Sequence, residues 1–123
     1  MKVHRNSSVT FPTFNNTVKA LFDTGADVSS IRASVHTTGK QTITFSCDLT
    51  RGKHYTTPIV STVNVETAMG DESRPIVQLP ITINSQTHSV SFTISDNSSS
   101  SVPVLIGVEA MNKFGIVVDP SGT

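Results

Sequence analysis

The amino-acid sequence predicts an all-β fold, and composition and turn spacing are the reasons. The chain has 123 residues, with 17 Thr, 17 Ser, 15 Val and 9 Ile but no Trp, and β-branched residues are favoured in strands. Short runs of alternating apolar and polar residues are separated by turn residues, as in β-sandwiches and β-barrels. This length supports one modest hydrophobic core, so we expect a single domain over residues 1–123.

Charge and patterning exclude several classes of partner. Nine basic and nine acidic residues give a formal net charge of zero, so the sequence has no electrostatic footprint for nucleic acid or an anionic membrane. No apolar run is long enough to span a bilayer, and the N-terminus lacks the apolar stretch of a secretory signal. Cys47 is the one cysteine, so no intrachain disulfide can form. We therefore expect an intracellular protein with no nucleic-acid or membrane partner.

The first predicted strands lead into an acidic turn. Residues 9–11 begin one strand, and residues 17–22 return as a second after a turn at Asn15 and Asn16. Residues 2–7 precede them and are polar, which fits either a frayed terminus or an arm.

The rest of the chain predicts further strands and one short helix. Alternating or apolar runs predict strands at 41–45, 59–65, 76–83, 88–94, 102–106 and 116–119. The second and third of these flank a break at 68–72, which predicts a long hairpin with its tip near Met69 and Gly70. Turns are expected at Ser85 and Gln86, and a helix of one or two turns is expected before Gly115, its C-terminal cap.

The acidic turn is the most informative stretch of the sequence. Asp23 ends the apolar run of the second strand, and a carboxylate at that place is costly to desolvate unless donors hold it. Gly25 permits a tight turn that brings main-chain N–H groups to this carboxyl, and the Thr24 hydroxyl can brace the turn. An ordinary Asp-Gly turn between two strands is the alternative interpretation.

The segment from Ala20 to Ile31 resembles the active-site loop of retropepsins, the aspartic proteases of retroviruses and long-terminal-repeat retroelements. A second similarity lies near the C-terminus, where Leu105 and Ile106 precede Gly107, a short helix and a closing strand. The resemblance covers residues 9–118 and is weakest at 34–58. It implies a retropepsin-like acid-protease half-barrel with one short C-terminal helix that works as a homodimer, in which residues 2–7 are an interface arm.

The resemblance also implies roles for individual residues. Asp23 is the implied catalytic residue, within an active-site loop formed with Thr24, Gly25 and Ala26. The implied substrate contacts are Asp27, Met69, Gly70 and Leu105, with Ile31 as a further pocket wall. The alternatives are a solvated turn carboxylate for Asp27, core positions for the two apolar walls and an ordinary surface hairpin for the hairpin tip.

One position departs from the family pattern. Retroviral enzymes carry an arginine directly after the C-terminal glycine, and it pairs with the counterpart of Asp27. Here Val108 holds that position, so this ion pair is absent or replaced. We expect instead that the Glu109 carboxylate accepts a hydrogen bond from Ser29 and braces the loop.

The chemistry of this enzyme class requires two carboxylates that share one proton, one acting as base on water and the other as acid. No other aspartate lies in a second Asp-Thr-Gly or Asp-Ser-Gly; the others are Asp27, Asp48, Asp71, Asp96 and Asp119. One chain therefore carries half a site, and activity requires a C2 homodimer in which two Asp23 carboxylates meet.

No metal or cofactor is predicted. The histidines have no metal-ligand spacing; they are His4, His36, His54 and His88. Cys47 as a nucleophile would need a base that the sequence does not reveal, and a plain thiol is the simpler interpretation.

The predicted function is an aspartic endopeptidase that processes a viral or retroelement polyprotein at sites flanked by apolar residues, in the cytoplasm or within virus-like particles. One alternative is a proteolytically inactive retropepsin-fold module for dimerisation or binding. Another is an unrelated Ser/Thr-rich β-sandwich used for adhesion or virion structure.

Overall fold

The computed structural model describes residues 1–68, 70–95 and 103–119, the side chains of residues 65, 67 and 72 excepted. Over these ranges the chain is mostly β with one short helix, α1 (Val108–Phe114), which confirms the predicted all-β class. The strands are β1 (Lys2–His4), β2 (Asn6–Phe11), β3 (Asn16–Phe22), β4 (Ser29–Arg32), β5 (Ser34–Thr38), β6 (Thr42–Ser46), β7 (Tyr55–Pro58), β8 (Ser61–Thr67), β9 (Gly70–Ile83), β10 (Gln86–Ser95), β11 (Val104–Ile106) and β12 (Val117–Asp119).

The main sheet brings three strand ends to the acidic turn. Its order is β10-β4-β11-β3-β2-β9-β8, and β9 also pairs with β10. β11 lies between β3 and β4, parallel to β3 through Leu105 and Leu21 and antiparallel to β4 through Leu105 and Ser30. Residues 23–28 connect β3 to β4. The C-terminal end of β11, which lies between these two strands, is therefore next to this connection.

A separate three-stranded antiparallel sheet, β5-β6-β7, contains the stretch where the resemblance is weakest. The sequence predicted only its central strand, whose Ile43 and Phe45 are buried. β5 was missed because its side chains are mostly exposed, so no apolar alternation marks it. β7 was missed for a similar reason, since its buried members are a threonine and a half-buried tyrosine.

The core is a single cluster of apolar side chains between these sheets. Four phenylalanines are its largest fully buried members: Phe11, Phe22, Phe45 and Phe92. The rings of Phe11 and Phe92 lie 5.7 Å apart, which joins β2 to β10. No helix among the described residues is long and apolar enough to cross a membrane.

The two ends of the described chain pair with each other. β1 runs parallel to β12, with Lys2 opposite Val117 and His4 opposite Asp119. Val3 is only 7% exposed and joins the core. The frayed terminus considered from the sequence is therefore wrong, and the pairing of this arm lies within one chain.

Two hairpins follow the prediction closely. β8 and β9 form a long antiparallel pair from Ser61 opposite Ile76 to Thr67 opposite Gly70, and the predicted tip residue Met69 lies outside the described residues. The turn between β9 and β10 consists of Asn84 and Ser85, one residue earlier than predicted. Both have positive φ, 48° and 69°, as in the type I′ turns that suit the twist of a hairpin.

Replacing Ser85 with glycine should stabilise the fold. Ser85 pays the steric cost of a left-handed conformation, about 1 kcal/mol, and glycine does not. We expect the free energy of unfolding, measured in urea, to rise by roughly that amount. Ser8→Gly is the matched control on an exposed position of β2, and it should lower the stability because a glycine weakens a strand interior. Equal effects of the two substitutions would contradict this account.

Candidate active site

Asp23 directly follows β3, and main-chain hydrogen bonds hold this end of the strand along both of its edges. Its N–H donates to the Ile106 carbonyl of β11 at 2.9 Å, and the N–H of Phe22 donates to the Arg5 carbonyl at 2.8 Å. The Asp23 side chain is half-buried. The main chain that carries the carboxylate is thus fixed, while part of the Asp23 side chain remains accessible to solvent.

The turn after Asp23 supplies the main-chain donor that the sequence predicts. The N–H of Gly25 donates to Asp23 Oδ1 at 2.9 Å, and the N–H of Ala26 donates to the Asp23 carbonyl at 3.2 Å. A Cβ atom on Gly25 would lie 3.2 Å from the same Oδ1, so a side chain would crowd the carboxylate. One carboxylate oxygen is therefore oriented by the turn.

The start of α1 holds the rest of this loop from behind. The N–H groups of Val108 and Glu109 donate to the carbonyls of Ala26 and Asp27 at 2.8 and 3.1 Å. The first N–H groups of a helix have no partner within the helix, so they are free for this purpose. Gly107, just before α1, donates its N–H to Ser29 Oγ at 3.0 Å in a buried position.

Gly107 is a glycine because the loop lies against it. A Cβ atom there would be 2.7 Å from the Val28 carbonyl carbon, 2.8 Å from the Val28 oxygen and 2.9 Å from the Ala26 oxygen. All three atoms are main-chain atoms, which do not move away cheaply. The glycine that marked the C-terminal similarity therefore permits close packing of β11 and α1 against the active-site loop.

The predicted brace between Ser29 and Glu109 is wrong. The Ser29 side chain is 1% exposed and accepts its hydrogen bond from the Gly107 main chain instead. Glu109 is exposed, and it contributes to the loop through its N–H rather than its carboxylate. The sequence alone did not reveal this because a main-chain donor leaves no residue-type signal.

The remaining predicted site residues fall at different depths. Asp27 and Gly70 are exposed and Leu105 is half-buried, whereas Ile31 is fully buried and belongs to the core, as its alternative interpretation held. Thr24 is exposed next to the carboxylate.

One supporting residue had no signal in the sequence. Thr93 of β10 is buried, and its hydroxyl donates to the Ser29 carbonyl at 3.4 Å. It lies in an apolar stretch between Phe92 and Ile94, where a threonine is simply a strand former by sequence. Contacts from β10 and from Gly107 thus meet at Ser29, directly after the loop.

Cys47 lies apart from this site, at the end of β6. Burial raises the pKa of its thiol, although hydrogen bonds from Thr50 and Leu49 oppose this effect. A thiol with a raised pKa is a poor nucleophile, which favours the plain-thiol interpretation. Within the described ranges, no group of three or more His, Cys, Asp or Glu side chains is arranged to hold a metal ion.

Alkylation of Cys47 should therefore be slow in the folded protein. Because the thiolate is the reacting form and the raised pKa keeps the thiol protonated at neutral pH, iodoacetamide should modify the folded chain more slowly than the chain in urea. For the folded protein, the rate of alkylation should continue to rise with pH above the ordinary pKa of a cysteine thiol, because burial raises the pKa of Cys47. Equal rates for the folded and unfolded chains at neutral pH would contradict the assignment.

Comparison with known proteins places the chain in a family. A search of curated proteins found no match. The crystal structure of Lpg0085, a protein with unknown function (DUF785) from Legionella pneumophila subsp. pneumophila str. Philadelphia 1, matches with a TM-score of 0.80 and 22% identity, covering 99% of this chain and 95% of that chain. This likeness supports the fold. A family model described as RimB-like, retropepsin-like aspartic endopeptidase RimB, matches residues 3–123. The chain therefore belongs to the RimB-like family of retropepsin-like aspartic endopeptidases.

Proposed function

We propose that this protein is an aspartic endopeptidase that acts as a C2 homodimer, with Asp23 of each protomer contributing one carboxylate. The observation that carries the proposal is the Gly25 N–H held 2.9 Å from Asp23 Oδ1, in a loop fixed from behind by Gly107 and α1. The family match over residues 3–123 supports the same chemistry.

The second carboxylate comes from a second copy of the chain. The sequence contains one Asp-Thr-Gly, and acid–base catalysis of peptide hydrolysis by this chemistry needs two carboxyl groups that share a proton. A two-fold axis beside the exposed Thr24 and Gly25 would bring the two Asp23 side chains together. The half-buried position of Asp23 leaves room for this approach.

We infer separate tasks for the two oxygens of Asp23. Oδ1 accepts from Gly25 and is thereby oriented, which leaves the other oxygen for the shared proton or the attacking water. The ionised carboxylate takes a proton from a water molecule while the water oxygen attacks the peptide carbonyl carbon. The protonated carboxyl group of the other protomer donates its proton to the carbonyl oxygen. The tetrahedral intermediate then collapses with a proton transferred to the leaving amine.

The substrate would be an extended polypeptide bound as an added strand between the β8–β9 hairpin and the active-site loop. Its proposed contacts are Asp27 at the loop, Met69 and Gly70 at the hairpin tip and Leu105 as an apolar wall. Cleavage would then favour apolar residues on either side of the scissile bond. A viral or retroelement polyprotein, and a location in the cytoplasm or in virus-like particles, remain predictions from the sequence.

Cleavage of a peptide library by the wild type and by Asp23→Asn tests the proposal. The assay is run at mildly acidic and at neutral pH, with the association state measured by sedimentation. We expect Asp23→Asn to reduce cleavage by about 10³-fold, since it removes the acid–base pair. Asp48→Asn is the matched control on an exposed aspartate outside the loop, and it should retain activity.

The same assay distinguishes the principal alternative. A verified dimer of the wild type that cleaves no peptide across this pH range would indicate an inactive dimerisation or binding module. A wild type that cleaves as a monomer would contradict the proposed pairing of two Asp23 side chains.

A further inference from the structure

A cleft at the opposite end of β3 from Asp23 combines cationic and aromatic side chains. It has a volume of about 270 Å³ and is lined by Phe14, Leu49, Thr50, Arg51, Lys53, His54 and Tyr55. Asn16 begins β3 and donates its side-chain amide to the Leu49 carbonyl at 3.2 Å, so the cleft borders the start of that strand. Since β3 advances about 3.3 Å per residue up to Phe22, the cleft lies roughly 20 Å from the catalytic loop.

Three of the lining residues are basic and none is acidic. Asp48, the nearest acidic residue in sequence, lines a different cleft. The chain as a whole has zero net charge, so this grouping is a local excess of positive charge. A concave site lined by one sign of charge attracts ligands of the opposite sign.

One cation of the lining, Arg51, is held in place. Arg51 Nη1 donates to the Phe14 carbonyl at 3.0 Å and Nη2 donates to the Asn15 carbonyl at 2.9 Å. These acceptors are neutral, so the positive charge of the guanidinium is not compensated by them. Arg51 also has a left-handed main chain, with φ of 56°, in a tight turn closed by its N–H to the Asp48 carbonyl. Its position is therefore fixed before any ligand arrives, which lowers the entropic cost of binding.

The aromatic and histidine walls are similarly fixed. The Phe14 and Tyr55 rings meet edge to face at 4.8 Å, and Tyr55 also contacts the buried Phe45 ring at 5.8 Å. The His54 ring stacks on His36 at 3.9 Å, with an interplanar angle of 18°. Flat aromatic walls next to the fixed Arg51 guanidinium suit a ligand that combines an aromatic ring with carboxylates.

We propose that this cleft binds an acidic polypeptide segment that carries an aromatic side chain. Carboxylates of the segment pair with Arg51 and Lys53, and its aromatic ring packs against Phe14 and Tyr55. An acidic segment matches the charge of the lining, which has three basic residues and no acidic one. The site is remote from Asp23, so binding there is independent of cleavage.

Tyr55 provides a direct readout, since the chain has one tyrosine and no tryptophan. The probe is acetyl-Glu-Glu-Phe-Glu-Glu-amide, which contributes no emission of its own in this range, and the titration is done at low salt with the full chain. The Asp23→Asn variant is titrated in parallel so that cleavage of the probe plays no part. We expect saturable quenching that weakens as salt is added, because surface ion pairs are screened.

Matched variants test which residues carry the binding. Lys53→Glu should weaken binding of the probe by roughly tenfold, and Lys40→Glu, an equal charge change on an exposed residue in the turn between β5 and β6, should not. Phe14→Leu should weaken binding of the phenylalanine probe but leave binding of acetyl-Glu-Glu-Ala-Glu-Glu-amide unchanged. Circular dichroism of each variant confirms that it is folded.

Three results would overturn the proposal. Lack of saturable quenching with the folded wild type would show that the cleft does not bind this chemistry. Equal weakening by Lys53→Glu and Lys40→Glu would indicate general charge attraction rather than a site. Competition by inorganic phosphate at the same concentration as the peptide would indicate a small-anion site and not a polypeptide site.

Discussion

Gly107→Ala is expected to lower the free energy of unfolding by about 3 kcal/mol, the upper end of the usual cost of overpacking. The new Cβ atom would lie 2.7–2.9 Å from main-chain atoms of Val28 and Ala26, closer than real Cβ contacts allow. These atoms belong to the loop that α1 already holds through Ala26 and Asp27, so relief requires the loop to move as a whole. Urea unfolding measures the change.

The same substitution should reduce peptide cleavage more than its effect on stability explains. Moving the loop shifts Asp23 and Gly25 relative to a partner protomer, and a displacement of about 1 Å at a catalytic centre can cost 10²-fold in rate. Activity is therefore measured well below the midpoint of unfolding, where nearly all chains are folded.

Gly39→Ala is the matched control for this prediction. Its new Cβ atom would have ordinary contacts, with the Thr42 carbonyl at 3.5 Å and the Thr42 hydroxyl at 3.8 Å. It should leave stability and activity nearly unchanged. A Gly107→Ala protein as stable and as active as Gly39→Ala would show that the loop accommodates a side chain there, against the packing described above.

The strands that sequence analysis found are those marked by alternating or apolar runs of residues. β3 and β10 alternate because one side of each contacts the core, and the hairpin of β8 and β9 is marked by the break between two such runs. β5 and β7 carry little apolar alternation, and their existence depends on pairing with β6. Partner strands of that kind are specified by the tertiary fold more than by their own residues.

The hydrogen bond within the acidic turn was predictable from the sequence, but the long-range contacts that hold the loop were not. The Gly25 N–H reaches the Asp23 carboxylate as local turn chemistry predicts, because only Thr24 separates the two residues in sequence. The contacts behind the loop join residues far apart, such as Ser29 with Gly107 and Ser29 with Thr93. Each of these contacts uses a main-chain group, and the residue type does not indicate which partner such a group will have. A side-chain hydrogen bond from Ser29 to Glu109 was therefore predicted in their place.

Mixing wild-type chains with inactive chains tests directly whether catalysis needs an Asp23 carboxylate from each of two protomers. Suppose that Asp23→Asn is added in ninefold excess and subunits exchange freely at concentrations where all chains are paired. A wild-type chain then meets another wild-type chain in about one tenth of its pairs. Because a mixed pair has one carboxyl group where two must share a proton, cleavage per wild-type chain should fall to about one tenth.

The control separates pairing from simple dilution or crowding. Asp48→Asn added in the same excess retains both Asp23 carboxylates in every pair, so total cleavage should rise about tenfold instead of falling. Mass spectrometry of isotopically labelled chains verifies that mixed dimers have formed. If cleavage per wild-type chain then stays constant in the presence of Asp23→Asn, one Asp23 suffices for catalysis. The second acid would in that case have to come from within the same chain, which the single Asp-Thr-Gly of the sequence does not supply.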